Sequence, residues 1–305
     1  MQIALIGSEN DPQILHVAEA LIADKNEPCI INTNYFGKHW QLSYDPDFND
    51  GLLHFDQPTR NGLFRIPLSD ITSAYWHQYI PPSVNASDNA SSQWLDQEYA
   101  STLLCWFLFS ETKWVNGIDA IRAHHCKPIQ LRMAKKLGAK VPYTYIGNAS
   151  DVALQFCANI NEVVYKPVKG GETAKFVQQD YDTRGLVQAL LKERPVTFQA
   201  FIEGTNIRSY VLGDEVVSVQ IDSHDLDFRD DANARPLLTP LPKPMQDLSR
   251  KICSGLGMHW CAIDWRKNTK GEYYFLEANP CPFFLFVENE TGVDITGRLV
   301  KLLTT

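Results

Sequence analysis

The chain has 305 residues, 44% hydrophobic and 21% charged, enough for two or three subdomains of ordinary globular composition around a sizeable core. Its net charge of −8, with no lysine- or arginine-rich run, argues against a nucleic-acid partner. The longest apolar block, Leu103–Phe109, is too short to span a membrane, and seven scattered cysteines without a C-x-x-C pair suit reduced thiols in the cytoplasm.

"MQIALIGSEN" reads as a first strand rather than a signal peptide. Asp11–Pro12 then starts a helix, with Ile14, Leu15, Val17, Ala18, Leu21 and Ile22 at helical spacing, and "PCIIN" returns as a strand. This β-α-β opening predicts a small α/β unit, but without G-x-G-x-x-G a dinucleotide site there is unsupported. "ITSAYWHQYI" is a further strand, Pro81–Gln93 a polar loop expected to be mobile, and Trp94–Phe109 a long helix. "KPIQLRMAKKLG" reads as a helix capped by Gly138. After it come the strand "PYTYI", the helix "ASDVALQFCA", the strand "EVVYKPV", the turn "KGGE" and the strand "TAKFVQ". From Val196 the strands "VTFQAFI", "IRSYVLG" and "EVVSVQI" precede a helix over Met245–Leu256, the hairpin "HWCAIDWRK"–"EYYFLEAN" and a last helix, "VDITGRLVKLL".

The hairpin carries the strongest chemical signal. Glu277 and Asn279 interrupt an aromatic run, where burial without partners would cost several kcal/mol. With "NTKG" as a four-residue connection, Asp264 is expected opposite Phe275, which makes Glu277 its diagonal neighbour on one face. Two carboxylates and an amide oxygen form a hard-oxygen set suited to magnesium rather than zinc. The competing reading is a salt-bridge network with Arg266, Lys267 or Arg208. His124–Cys126 lacks metal-ligand spacing, and Cys281 reads as a packing thiol rather than a nucleophile.

Two weaker signals precede it. In "VVYKPVKGGETAKFV", Lys166 ends an apolar strand and Gly170–Gly171 lie in the following turn, where backbone N–H groups can approach phosphate oxygens. The alternative is an ordinary hairpin turn with solvated lysines. In "TFQAFIEGTNIRSYV", an apolar strand end offers backbone groups to an adenine edge, and the planar fork of Arg208 suits a phosphate or carboxylate. Here the alternative is a polar turn between strands.

Taken in order, a lysine before a helix, a lysine–Gly-Gly hairpin, "QAFIEG", "IR" and D…E-x-N in one hairpin resemble the ATP-grasp ligases over about residues 120–300. Within that superfamily the chain resembles the ligases that add glutamate to ribosomal protein tails. It also resembles the microviridin-type (graspetide) peptide maturases, above all in "WVNGIDAIRAHHCKPIQLRMAKKLGAKVPYTYI" and "CAIDWRKNTKGEYYFLEANP". The resemblance implies an α/β fold: an N-terminal pre-ATP-grasp domain over 1–120, a central subdomain over 121–195 with a glycine lid, and a C-terminal subdomain over 196–305.

The resemblance also implies site roles. Lys127 and Lys166 would contact nucleotide phosphates, with Gly170 and Gly171 in the lid. Gln199, Ala200, Phe201 and Ile202 would form the adenine hinge, with Glu203 or Asn206 near the ribose. Arg208 and Lys166 would act on the transferred phosphate, and Asp264, Glu277 and Asn279 would hold one or two magnesium ions. Ala200 stands where the family pattern has glutamate, and Asn206 where aspartate is common. The implied chemistry is ATP-dependent phosphorylation of a carboxylate, followed by attack of an amine or hydroxyl to give an amide or ester. The implied partner is a precursor peptide or protein with acidic side chains, or a small carboxylate, acted on by a homodimer. A grasp-fold protein that only binds peptide or nucleotide is the non-catalytic alternative.

Overall fold

The computed structural model describes residues 1–82, 89–109, 111–177, 182–223, 226, 228 and 230–305, the side chains of 89–92 excepted. It divides into two compact units, Met1–Asp119 with Cys281–Glu288 and Val293–Thr305, and Ala120–Pro280 with Asn289–Gly292.

The first unit is built on a parallel sheet. β1 (Gln2–Ile6) buries Ile3, Ala4, Leu5 and Ile6 in succession, as a strand covered on both faces must. α1 (Pro12–Ala23) starts where the Asp11 carboxylate accepts the N–H groups of Gln13 and Ile14, and it buries Ile14, Val17, Ala18 and Leu21. β2 (Glu27–Ile31) follows beside β1. The sequence predicts no element between Asn32 and Ile71, yet β3 (Trp40–Asp45), β4 (Asp50–Phe55) and β5 (Arg65–Pro67) form an antiparallel sheet there. β3, "WQLSYD", alternates in sequence and in burial, a strand signal that the sequence reading overlooked, whereas β4 and the three-residue β5 carry no clear alternation. β6 (Ile71–Trp76), α2 (Asn89–Phe107) and β7 (Lys113–Val115) complete the N-terminal part, and the parallel sheet runs β2-β1-β6-β7. Of the loop expected over Pro81–Gln93, residues 83–88 lie outside the described residues and Asn89 already begins α2, five residues before the expected start.

The second unit opens within α3 (Ile118–His124) and holds α4 (Lys127–Lys136), β8 (Thr144–Gly147), α5 (Ser150–Ala158), β9 (Val163–Pro167), β10 (Lys175–Phe176), α6 (Thr183–Glu193) and β11 (Val196–Ala200). Its four-stranded sheet runs β10-β9-β11-β8 and packs Val163, Val196 and Phe198 against Ala153, Phe156 and Val187 of the helices. β12 (Gly204–Leu212), β13 (Glu215–Asp222), β14 (Arg235–Leu238), α7 (Lys243–Gly255), β15 (Trp260–Asn268) and β16 (Tyr273–Asn279) follow. The second sheet is antiparallel in the order β14-β13-β12-β15-β16, and one face of it buries Ile207, Val211, Ile263, Trp265, Phe275 and Ala278 with α4 and α7.

The chain ends with α8 (Leu285–Thr291) and α9 (Thr296–Thr304). The sequence assigns 196–305 to one C-terminal subdomain, but α9 packs Leu299, Val300 and Leu303 on α1 and β6 of the first unit. Ser73 Oγ and Lys113 Nζ donate to the carbonyls of Leu303 and Leu302, and fix this end. Gln13 does the same for the segment after Pro280. Its Oε1 accepts the N–H groups of Phe284 (2.7 Å) and Leu285 (3.2 Å), and its Nε2 donates to Pro282 O (3.2 Å). Among the described residues no helix is long and apolar enough to cross a membrane.

Candidate active site

The face of the five-stranded sheet turned away from α4 and α7 collects the predicted polar residues by alternation alone. Arg208 on β12 pairs with Asp264 on β15, and Asp264 pairs with Glu277 on β16, so the three form a row across three strands. Asn206 and Arg266 form the next row, and Tyr210, Ala262 and Asn279 the row on the other side. Residues one step along each strand, Ile207, Ile263 and Ala278 among them, point into the core.

The pairing of Asp264 corrects the sequence expectation. It faces Glu277 rather than Phe275. The connection is three residues, Thr269–Gly271, because Asn268 N donates to Glu272 O (2.9 Å) and Gly271 takes the left-handed φ of +80°. The register then shifts between Trp265↔Phe275 and Asp264↔Glu277, leaving Leu276 as a bulge. The bulge keeps both Phe275 and Ala278 in the core while Glu277 and Asn279 share the polar face.

Each carboxylate meets a cation from a different direction. Arg208 Nη1 lies 3.1 and 3.3 Å from the two Asp264 oxygens, and its guanidinium lies over the rings of Tyr210 (5.7 Å) and Phe228 (5.6 Å). Arg208 is buried, and its Nε has no partner among the described residues. Burial opposes its charge, but Asp264, Tyr210 and Glu277 raise its pKa above the usual arginine value. Lys127, the first residue of α4, reaches Glu277 Oε2 at 2.8 Å. Desolvation works against the Glu277 carboxylate, yet Lys127, then Lys166 and His124, hold its pKa down at about 2. Of the alternative partners named from sequence, Arg208 is engaged by Asp264, whereas the partner of Glu277 is Lys127.

The start of α4 is fastened to the hairpin. Gln130 Nε2 donates to Ala278 O (2.8 Å) and Gln130 Oε1 accepts Ala278 N–H (3.0 Å), which satisfies the outer edge of β16. His124 Nδ1 also contacts Ala278 O (2.9 Å), and both of its ring nitrogens are 3.4 Å from Lys127 Nζ. Burial and the Lys127 charge push His124 down to about 4, so it is neutral near pH 7 and its Nδ1–H donates. Sequence reading missed this pair, although His124, Lys127 and Gln130 stand three residues apart.

The other predicted residues lie on the four-stranded sheet and its exit. Lys166 Nζ donates to Gln199 Oε1 (3.1 Å), and Gln199 Nε2 donates to Thr144 Oγ1 (2.9 Å). Gly170 and Gly171 have φ of +91° and +99°, and a Cβ on Gly170 would lie 3.2 Å from Lys127 Cε. Thus the glycine turn, Lys127 and Glu277 come together. Phe201, Ile202 and Asn206 gather around Arg266, which the sequence reading assigned only to a salt-bridge network, while Glu203 is exposed. Cys281 in the first unit is half-buried, and desolvation pushes its thiol pKa well up, as for a packing residue.

Asp264, Glu277 and Asn279 fit a magnesium ion in donor chemistry: two carboxylates, each paired with a cation, and an amide on one face. Comparisons with known proteins identify the family of the fold. A RimK-like ATP-grasp domain matches residues 124–303. A probable alpha-L-glutamate ligase of Xanthomonas campestris pv. campestris is 26% identical over 217 residues, 67% of this chain and 74% of that one. The structure of the ATP-grasp ligase PsnB complexed with minimal precursor superposes with a TM-score of 0.85 at 25% identity, over 99% of this chain and 97% of that one. PsnB complexed with a phosphomimetic variant of minimal precursor, Mg and ADP gives 0.82 at the same identity, with the same shares covered. Macrocyclase MdnC from Microcystis aeruginosa MRC, bound with precursor peptide MdnA, gives 0.85 over 100% and 99% at 19% identity, a likeness of fold alone. The chain therefore belongs to the RimK-like ATP-grasp family and is an ATP-grasp ligase.

Proposed function

We propose that this ligase phosphorylates a side-chain carboxylate of a precursor peptide with ATP and joins it to an amine or hydroxyl of that peptide, as amide or ester. The reading is carried by Lys127, Lys166 and Arg208 gathered about the opposed carboxylates Asp264 and Glu277. Asp264, Glu277 and Asn279 would hold magnesium, which when bound neutralises charge on the ATP phosphates. Lys127 would exchange Glu277 for a phosphate oxygen, and Lys166 would leave Gln199 for another. Arg208, fixed by Asp264 and two rings, would face the transferred phosphoryl group without reorganising.

In this reading the peptide carboxylate attacks the γ-phosphorus and ADP leaves. The amine or hydroxyl then attacks the acyl carbon, losing its proton as inorganic phosphate departs. Gly170 and Gly171 would close over the nucleotide and exclude water. Gln199 through Ile202 would read adenine, with Glu203 or Asn206 near the ribose. Residues 1–120, with α9 packed on them, would serve as the pre-ATP-grasp domain, with 121–195 and the rest of 196–305 as the two grasp subdomains, in a cytoplasmic homodimer.

The peptide substrate is supported by PsnB, which matches 99% of the chain and is itself complexed with precursor. A second reading, addition of glutamate to a protein or small-molecule carboxylate, is supported by the likeness to the probable glutamate ligase. Mass spectrometry of candidate peptides after incubation with enzyme, ATP and magnesium separates them. Each ring closure removes one water, and each glutamate addition adds a residue. Peptides unchanged in mass, with ATP unhydrolysed, would contradict the peptide reading.

A further inference from the structure

We infer that Arg266 is a positioning residue of the nucleotide site, holding the backbone of Phe201–Asn206 in the shape that reads the base. This rests on the nucleotide reading proposed above.

Arg266 stands two residues after Asp264 on β15 and so shares its face of the sheet. Its Nε donates to Ile202 O at 2.9 Å, its Nη1 donates to Asn206 Oδ1 at 2.5 Å, and its guanidinium carbon lies 5.4 Å from the centre of the Phe201 ring. One planar side chain thus fixes a carbonyl, an amide and a ring within a six-residue segment. A lysine, with a single point of charge, could not hold all three at once.

The segment is pinned by backbone on both sides of this clamp. Ala200 N–H donates to Tyr143 O (2.8 Å) and Phe201 N–H to Glu162 O (2.9 Å), which continues the ladder of the four-stranded sheet. At the other end Gly204 enters β12 with φ of +146°, and a Cβ there would lie 2.0 Å from Lys267 O. Between these pins, Ile202 O is held by Arg266. The Phe201 ring meets Phe176 of β10 edge-on at 5.0 Å, so its orientation also affects the strand that follows the glycine turn.

Both acceptors of Arg266 are neutral, and none of its contacts among the described residues is with a carboxylate. A salt bridge would account for an arginine by charge alone. Here the guanidinium is spent on geometry, with partial burial opposing its charge.

The test is equilibrium binding of Mg-AMPPNP and Mg-GMPPNP to the full chain, wild type and Arg266→Ala, with circular dichroism to check the fold. Arg266→Ala is expected to weaken Mg-AMPPNP by about tenfold and Mg-GMPPNP much less, so that adenine preference falls. Asn206→Ala, which removes one anchor and leaves Arg266 in place, is expected to shift preference the same way by a smaller factor. It carries the test if Arg266→Ala does not fold. A purely structural arginine would weaken both nucleotides by the same factor or neither. Either outcome, with adenine preference within about two-fold of wild type, overturns the inference while leaving the nucleotide site intact. A folded wild type that binds neither nucleotide overturns the nucleotide reading and this inference together.

Discussion

Asp264 stands directly opposite Glu277 across β15 and β16, and the bulged Leu276 is what allows it. In an unbroken register Glu277 would point into the core with Phe275, where an ionised carboxylate is costly. The bulge turns it to the polar face beside Asn279, while Gln130 holds the outer edge of Ala278. The proposed metal face is thus a consequence of one extra residue in one strand.

Arg208 should be the least replaceable side chain of the site. Removing it in Arg208→Ala leaves the half-buried Asp264 without its cation and is expected to cost about 3 kcal/mol in urea unfolding. Arg208→Lys keeps the charge but loses the guanidinium plane over Tyr210 and Phe228, so its stability cost should be smaller. Both variants are expected to lose peptide-dependent phosphate release. Stability equal to wild type in Arg208→Ala would show that the pair contributes nothing to folding.

Gly204 should tolerate no side chain. Its positive φ and the approach of Lys267 O leave no room for a methyl group, so Gly204→Ala must part the start of β12 from the end of β15. A loss of about 2 kcal/mol or more is expected in thermal or urea melts, together with weaker Mg-AMPPNP binding.

In the first unit, His77 should make stability pH-dependent. Its Nε2 lies 3.2 Å from Asp11 Oδ2, its Nδ1 lies 3.2 Å from Gln13 Nε2, and its ring meets that of Phe283 at 87°. Burial pushes its pKa below the ordinary histidine value, although Asp11 pulls the other way. A histidine whose folded pKa is depressed binds its proton more tightly in the unfolded chain. Its stabilisation is therefore complete above about pH 6.5 and is lost as the pH falls below that value. Melting temperature should drop between pH 7 and pH 5 by less in His77→Gln than in wild type. An equal drop would remove His77 from the cause.

Much of this was legible in the sequence because it depends on alternation. Period two on β12, β15 and β16 already groups Arg208, Asp264, Glu277 and Asn279, and the glycine turn announces itself by composition. What was not legible depends on register and on side chains reaching between elements. A three-residue turn with a later bulge and a four-residue turn without one bring the same residues near each other, so the wrong pairing of Asp264 still led to the right face. The Lys127–Glu277 pair joins positions far apart in sequence, and nothing local marks it. Arg266 had a signal, two residues after Asp264, but its partner Ile202 O is a backbone atom that no side-chain pattern reveals. In the small sheet β3-β4-β5, the alternation of "WQLSYD" in β3 was legible but overlooked, while β4 and β5 lack it.

The most direct measurement is Mg-AMPPNP affinity, by calorimetry with and without magnesium, in wild type, Asp264→Asn and Glu277→Gln. Wild type is expected to gain at least about tenfold in affinity from magnesium, and both variants to lose most of that gain while remaining folded. Folded variants that keep the full magnesium-dependent gain would contradict the assignment of Asp264 and Glu277 as the residues that hold the metal.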